Sequence, residues 1–266
     1  MSTDASQHDS YRPDETRSDG RDAGAHGITQ VDMVHRLPKA ELVDRVEFLV
    51  DAARGRKVVH VGFVDSGCWE YHDRFDSWLH AHLNSVASSL VGLDLDSEGV
   101  SRAQEMGFEA HAVDCSDSDA VAALGLEPAD VAIAGEIIEH LDDSGSFLDG
   151  LHSLVRPGGT LIVTTPNASG LLNAGAGALA GYEVNHPDHV TLYSCYTLTN
   201  LMERRGWNVN RVATYVPVLK EFSALKGKMK ILGAGAQAVL GAERLLARLG
   251  RPYAADGLIV VARRPD

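Results

Sequence analysis

From residue 57 onward the chain alternates short apolar runs with amphipathic helical stretches, and this alternation constrains its fold more than any other feature. The runs at 57–61, 90–93, 108–113, 130–134 and 160–165 have strand length, and helical stretches lie between them, notably at 97–106 and 142–155. Strands separated by helices form βαβ units with right-handed crossovers. They predict a doubly wound α/β fold whose mainly parallel sheet carries helices on both faces. Two further strands are expected at 208–216 and 257–263, beyond a helix at 198–205. Upstream, residues 39–54 place Leu42, Val43, Val46, Leu49 and Val50 on a helical stripe, which predicts a helix over that whole segment.

A chain of 266 residues can hold one large α/β domain with an appendage, or at most two small domains. Residues 1–27 are polar and nearly free of large apolar side chains, so they read as a disordered tail ahead of a domain at 28–266. The formal charge of −13 disfavours a nucleic-acid partner, since phosphate contacts need clustered Lys and Arg. Cys68, Cys115 and Cys195 are scattered with no C-x-x-C pair, which fits a reducing compartment. With no apolar leader and no run of membrane-spanning length, a cytoplasmic protein without stable membrane insertion is expected. Residues 219–249 form an Ala-rich, basic insert. The expectation is a helical pair packed on the domain or on a second copy in a homodimer, rather than a membrane-surface element.

The positions that carry chemistry gather at strand ends. Gly62 closes the first apolar run in HVGFVDSG and Gly67 follows; a glycine there admits a ligand close to the backbone, or simply makes a tight turn. The spacing matches neither a nicotinamide-dinucleotide fingerprint nor a phosphate loop. Asp94 ends the next run in VGLDLD, where a carboxylate can accept from two ribose hydroxyls, while Asp96 or Ser97 better suits a helix cap. Asp114 ends the third in AVDCSD, placed for an adenine amine or for capping. GEIIEHL (135–141) then follows a buried strand, and RPGGTLIVTTPN (156–167) feeds another. Glu139 and His140 lie one helical turn beyond Glu136, so the three are expected to point the same way at the edge where open α/β sheets bind ligands.

The ordered series HVGFVDSG, VGLDLD, AVDCSD, AGEIIEHL and LVRPGGTLIVTTPN resembles class I S-adenosylmethionine-dependent methyltransferases over roughly residues 57–263. The resemblance implies a seven-stranded Rossmann-like sheet. It also implies a loop at Gly62 and Gly67 around the methionine part of S-adenosylmethionine, Asp94 on the ribose, and Asp114 with Cys115 beside the adenine. Glu136 borders the same site. The first loop departs from the family's usual G-x-G-x-G, because Phe63, Val64 and Asp65 displace the later glycines, and WEYHDRFDSWLHAHL follows. Trp78 or His80 from that segment is a candidate to enclose the cofactor.

A narrower resemblance links GEIIEHL to small-RNA 2′-O-methyltransferases and ubiquinone-pathway O-methyltransferases, which hold a divalent ion with a Glu-x-x-Glu-His cluster and a later histidine. It implies Glu136, Glu139, His140 and His189 as ligands, with His186 the competitor for the last place. Such a set suits Mn²⁺, Fe²⁺, Co²⁺ or Zn²⁺ ahead of Mg²⁺. Without an ion, His140 or His189 is the candidate general base, supported by Glu139. The reading is an O-methyltransferase acting on a small molecule or glycan, such as a sugar, a polyol or a phenolic intermediate. The alternative is a non-catalytic binding or scaffold protein on the same fold, which need not bind S-adenosylhomocysteine.

Overall fold

The apolar runs become interior strands because both of their faces are covered. The computed structural model describes residues 34–64, 77–218 and 228–266. Its strands are β1 (Ala40–Leu42), β2 (Lys57–Val61), β3 (Ser89–Asp94), β4 (Glu109–Ala112), β5 (Ala129–Gly135), β6 (Val155–Pro166), β7 (Asn208–Tyr215) and β8 (Gly257–Arg263). They form one sheet in the order β1-β7-β8-β6-β5-β2-β3-β4. Strand β8 runs antiparallel between β6 and β7, and the remaining pairs are parallel. The helices are α1 (Arg45–Ala53), α2 (Leu79–Asn84), α3 (Ser97–Glu105), α4 (Ser118–Ala123), α5 (Ser144–Leu154), α6 (Leu171–Gly175), α7 (Cys195–Arg204) and α8 (Lys228–Arg248).

Alternate side chains of each strand feed two cores. Val59, Val61, Leu161 and Val163 pack with Leu148 and Leu151 of α5 and Leu198 and Met202 of α7. On the other face, Val58, Val131, Ile133 and Ile162 pack with Leu49 and Ala53 of α1 and Leu83 of α2. Helix starts are set by acids that accept from first-turn amides: Asp96 for α3, Asp117 for α4 and Asp143 for α5. Asp96 thus takes the capping role and leaves Asp94 at the strand end.

Two expectations are corrected. The sheet has eight strands, not seven, because residues 39–54 do not form one helix. The Asp44 side chain accepts from the Glu47 amide and starts α1 only at Arg45. Ahead of it, Ala40–Leu42 pairs in parallel with Val212–Thr214 of β7, and Glu41 pairs with Arg211. That partner lies far along the chain, so local periodicity could not show it. The described part of the insert is likewise one continuous helix of 21 residues rather than a pair, and 219–227 lie outside the described residues. Interior glycines each weaken a helix by about 1 kcal/mol. Docking through Leu240 and Glu243, both fully buried, offsets that cost. Among the described residues no helix is long and apolar enough to cross a membrane.

Candidate active site

The strand-end residues singled out in the sequence converge on one cavity. Gly62, Asp94, Asp114 and Cys115 line it together with Ile137 and Phe147. Gly62 sits at φ +70°, and a Cβ there would lie 2.5 Å from Ile137 Cδ1, so glycine is required both by dihedral and by space. Asp94 is oriented by the backbone around it: Oδ2 accepts from the Val64 amide at 2.9 Å and Oδ1 from the Asp96 amide at 3.0 Å. Asp114 Oδ1 accepts from the Ser116 amide at 2.8 Å. Burial, then the Asp114 and Asp94 carboxylates, push the Cys115 thiol up to about 12, so it is a neutral wall of the cavity rather than a nucleophile. Gly67 lies outside the described residues. Trp78 and His80 do not line the cavity. Trp78 Nε1 donates to the Phe63 carbonyl and His80 packs among Phe63, Trp78 and Phe108, so both shore up the loop from beneath.

Next to this cavity GEIIEHL makes a tight 3-10 turn at Ile138–His140, not an α-helical start. Glu136 has φ +55°. Glu136 Oε1 accepts from Thr164 Oγ1 at 2.8 Å and Tyr215 Oη at 2.6 Å, with Arg45 Nε 3.8 Å away. Glu139 is fully buried; its Oε2 accepts from Thr165 Oγ1 at 2.9 Å. Its Oε1 has no hydrogen-bond partner among the described residues and lies 3.9 Å from His189 Nε2. Burial, then the Glu136 charge, raise the Glu139 carboxyl to about 8.

His140 meets His189 edge to face with ring centroids 4.5 Å apart, and His186 stands 5.8 Å from His140 and 5.5 Å from His189. One nitrogen from each of these imidazoles falls within 4.8 Å of the others. The loop bearing His189 is tied to the turn because the Val190 and Thr191 amides both donate to the Glu139 carbonyl. Burial and the neighbouring imidazoles of His140 and His186 lower the His189 pKa, which favours its neutral form. The structure therefore gathers His140, His186, His189 and Glu139, with the Glu136 charge acting on both Glu139 and His189. Arg45, Thr164 and Tyr215 went unread in the sequence. The doubled threonine of VTTPN at a strand end was the one visible hint.

A family profile described as a methyltransferase domain matches residues 23–212, well over half of the chain. The chain belongs to that family of methyltransferase domains. Among solved structures it is similar to an S-adenosylmethionine-dependent methyltransferase from Archaeoglobus fulgidus. The TM-score is 0.50 over 83% of this chain and 91% of the other at 14% identity, a likeness of fold. Among curated proteins it is 30% identical over 142 residues to a ubiquinone biosynthesis O-methyltransferase of Parvibaculum lavamentivorans. The match covers 51% of each chain, so the methyltransferase spans about half the length of that relative. The carboxylates of Asp94 and Asp114, each held by backbone amides, flank Gly62 at this cavity.

Proposed function

We propose that this methyltransferase acts on a hydroxyl of a small acceptor, a sugar, polyol or phenol, and that Glu139, His140 and His189 prepare that hydroxyl. The observation carrying this reading is the meeting of three imidazoles and a buried carboxylate beside the cofactor cavity. The name of the curated relative supports oxygen as the acceptor atom, and the charge of −13 stands against an RNA acceptor. Bound S-adenosylmethionine supplies a methyl group activated by its sulfonium sulfur. In-line attack by the acceptor oxygen forms the C–O bond as the C–S bond breaks, and the acceptor proton must leave. His140 or His189 receives that proton, and Asn185, whose Oδ1 meets His189 Nδ1, orients the His189 ring.

The same side chains fit a divalent ion. Glu139 Oε1 is a buried oxygen without a hydrogen-bond partner among the described residues, and it faces an imidazole. Glu139, His140 and His189 would hold the ion with His186 in reach. Glu136, the fourth member of the expected set, has its Oε1 engaged by Thr164, Tyr215 and Arg45. An imidazole–carboxylate set favours Mn²⁺, Fe²⁺, Co²⁺ or Zn²⁺ over Mg²⁺. A bound ion would make a coordinated hydroxyl more acidic.

Methyl transfer from labelled cofactor to a panel of sugars, polyols, phenols and amines tests the reading. Hydroxyl acceptors are expected to be labelled. Excess EDTA is expected to stop turnover while cofactor binding persists, and Mn²⁺ or Co²⁺ to restore it. His189→Ala should lower the rate by about 100-fold or more. Labelling of amines alone overturns the oxygen assignment. Full activity in EDTA overturns the metal and leaves the histidines as bases.

A further inference from the structure

Residues 168–192 leave the sheet after β6 and return at α7, carrying His186 and His189 on the way. The ends of this segment are pinned together. Asn167 forms a β-bridge with Tyr193, and the Ala168 amide donates to the Tyr193 carbonyl at 2.8 Å. Of the residues described between those ends, Gly170 and Leu172 alone are buried. Both rest on one pair of carboxyls, Glu243 from α8 and Asp256 just ahead of β8. A Cβ on Gly170 would lie 1.9 Å from Asp256 Oδ1. The Leu172 amide donates to both Glu243 Oε1 at 3.2 Å and Asp256 Oδ1 at 3.1 Å, and the Asn173 amide meets Asp256 Oδ1 at 3.3 Å. At the far end the segment is tied by two backbone bonds, from the Val190 and Thr191 amides to the Glu139 carbonyl.

Two carboxylates in contact away from water strongly disfavour being ionised together. Glu243 is fully buried and Asp256 nearly so, and a side-chain hydrogen bond joins them. No Lys, Arg or His forms an ion pair with either among the described residues. Helix α6 brings no titratable side chain. Tyr253 donates its hydroxyl to the Pro38 carbonyl, and Glu41 of β1 pairs with Arg211. Arg244, next along α8, makes no ion pair among the described residues. Burial, then the Asp256 charge, raise the Glu243 carboxyl to about 8, and burial raises Asp256. With its proton, Glu243 donates to Asp256 and the other oxygens serve the amides. Without it, two negative charges share one amide. Undocking relieves that repulsion, because the rest of the segment adds no buried side chain among those described. We propose that Glu243 and Asp256 are positioning residues for the segment that bears His186 and His189. One proton shared between them latches residues 168–192 in place, and its loss releases them. The bearing of this latch on methyl transfer rests on the role proposed for His189.

Amide hydrogen exchange of the full-length protein at pH 6 and pH 9, corrected for the intrinsic pH dependence of exchange, tests the latch. The docked segment binds the proton more tightly than the released one. Opening therefore becomes easier by up to about tenfold per pH unit as pH rises towards 8, and levels beyond it. Protection of residues 168–192 is expected to fall by about 10- to 100-fold between the two pH values, staying below that of β5 at both. Glu243→Gln keeps a donor towards Asp256 and has no proton to lose, so its protection should change by less than about threefold. Asp256→Asn removes the second charge and should shrink the fall as well. A merely structural role for the pair would leave protection independent of pH. The readout needs neither acceptor nor metal, so it stands or fails separately from the function proposed above. Unchanged wild-type protection, a full fall in Glu243→Gln, or exchange of the segment only as fast as β5 overturns the proposal.

Discussion

At the scale of single residues, the cofactor cavity depends on atoms that have little freedom. Asp94 is held by two backbone amides, and under the proposed function its carboxylate is the one expected to accept ribose hydroxyls. Asp94→Ala is expected to weaken S-adenosylmethionine binding by about 1.5–3 kcal/mol in a protein that still folds. An unchanged dissociation constant would remove the ribose assignment. Gly62→Ala would combine a left-handed dihedral with a Cβ 2.5 Å from Ile137 Cδ1. It should lose about 1–3 kcal/mol in urea unfolding and reduce cofactor affinity. The identities of Gly62, Asp94 and Asp114 were legible because strand direction alone puts the residue after each strand at the ligand edge. The partners of Glu136 were not, since Arg45, Thr164 and Tyr215 come from separate elements.

At the scale of elements, the polar anchor of α8 gives it a pH dependence. Glu243 Oε1 and Asp256 Oδ1 both accept from the Leu172 amide in α6, and Glu243 Oε2 accepts from the Asp256 amide. Asp256 also leaves no room for a Cβ on Gly170, so α6, α8 and the start of β8 meet at one carboxyl pair. Burial, then the Asp256 charge, raise the Glu243 carboxyl to about 8, and burial raises Asp256 as well. The fold therefore binds this proton more tightly than the unfolded chain does. Its contribution is complete below the ordinary carboxyl value and declines as pH rises towards about 8, levelling beyond it. Each pH unit in that window costs at most about 1.4 kcal/mol. Glu243→Gln should flatten the decline in urea unfolding measured from pH 5 to 9. An equal slope in that variant would show that other groups carry it. The two carboxyls are far apart in sequence with nothing local to pair them, whereas Asp96, Asp117 and Asp143 announce their caps from within a single turn.

At the scale of the whole molecule, β1 closes the sheet edge that β7 would otherwise expose, and Tyr253 Oη donates to the Pro38 carbonyl just ahead of it. A chain starting at Ile28 keeps these contacts and is expected to melt with the full-length protein. One starting at Asp44 should lose about 2–4 kcal/mol, because it removes a strand and leaves the β7 edge unpaired. Equal stability of the two would make β1 dispensable. The sequence by itself determined the α/β class, the run of strands from β2 to β8 and the edge where Gly62, Asp94 and Asp114 gather. Those features follow from short-range patterns of apolar residues and from the polarity of the strands. Only the tertiary structure decided that an eighth strand exists, that His186 joins His140 and His189, and that Arg45, Thr164 and Tyr215 converge on Glu136. Each of these depends on groups from separate elements meeting in space, and local periodicity carries no record of which distant residue fills that place.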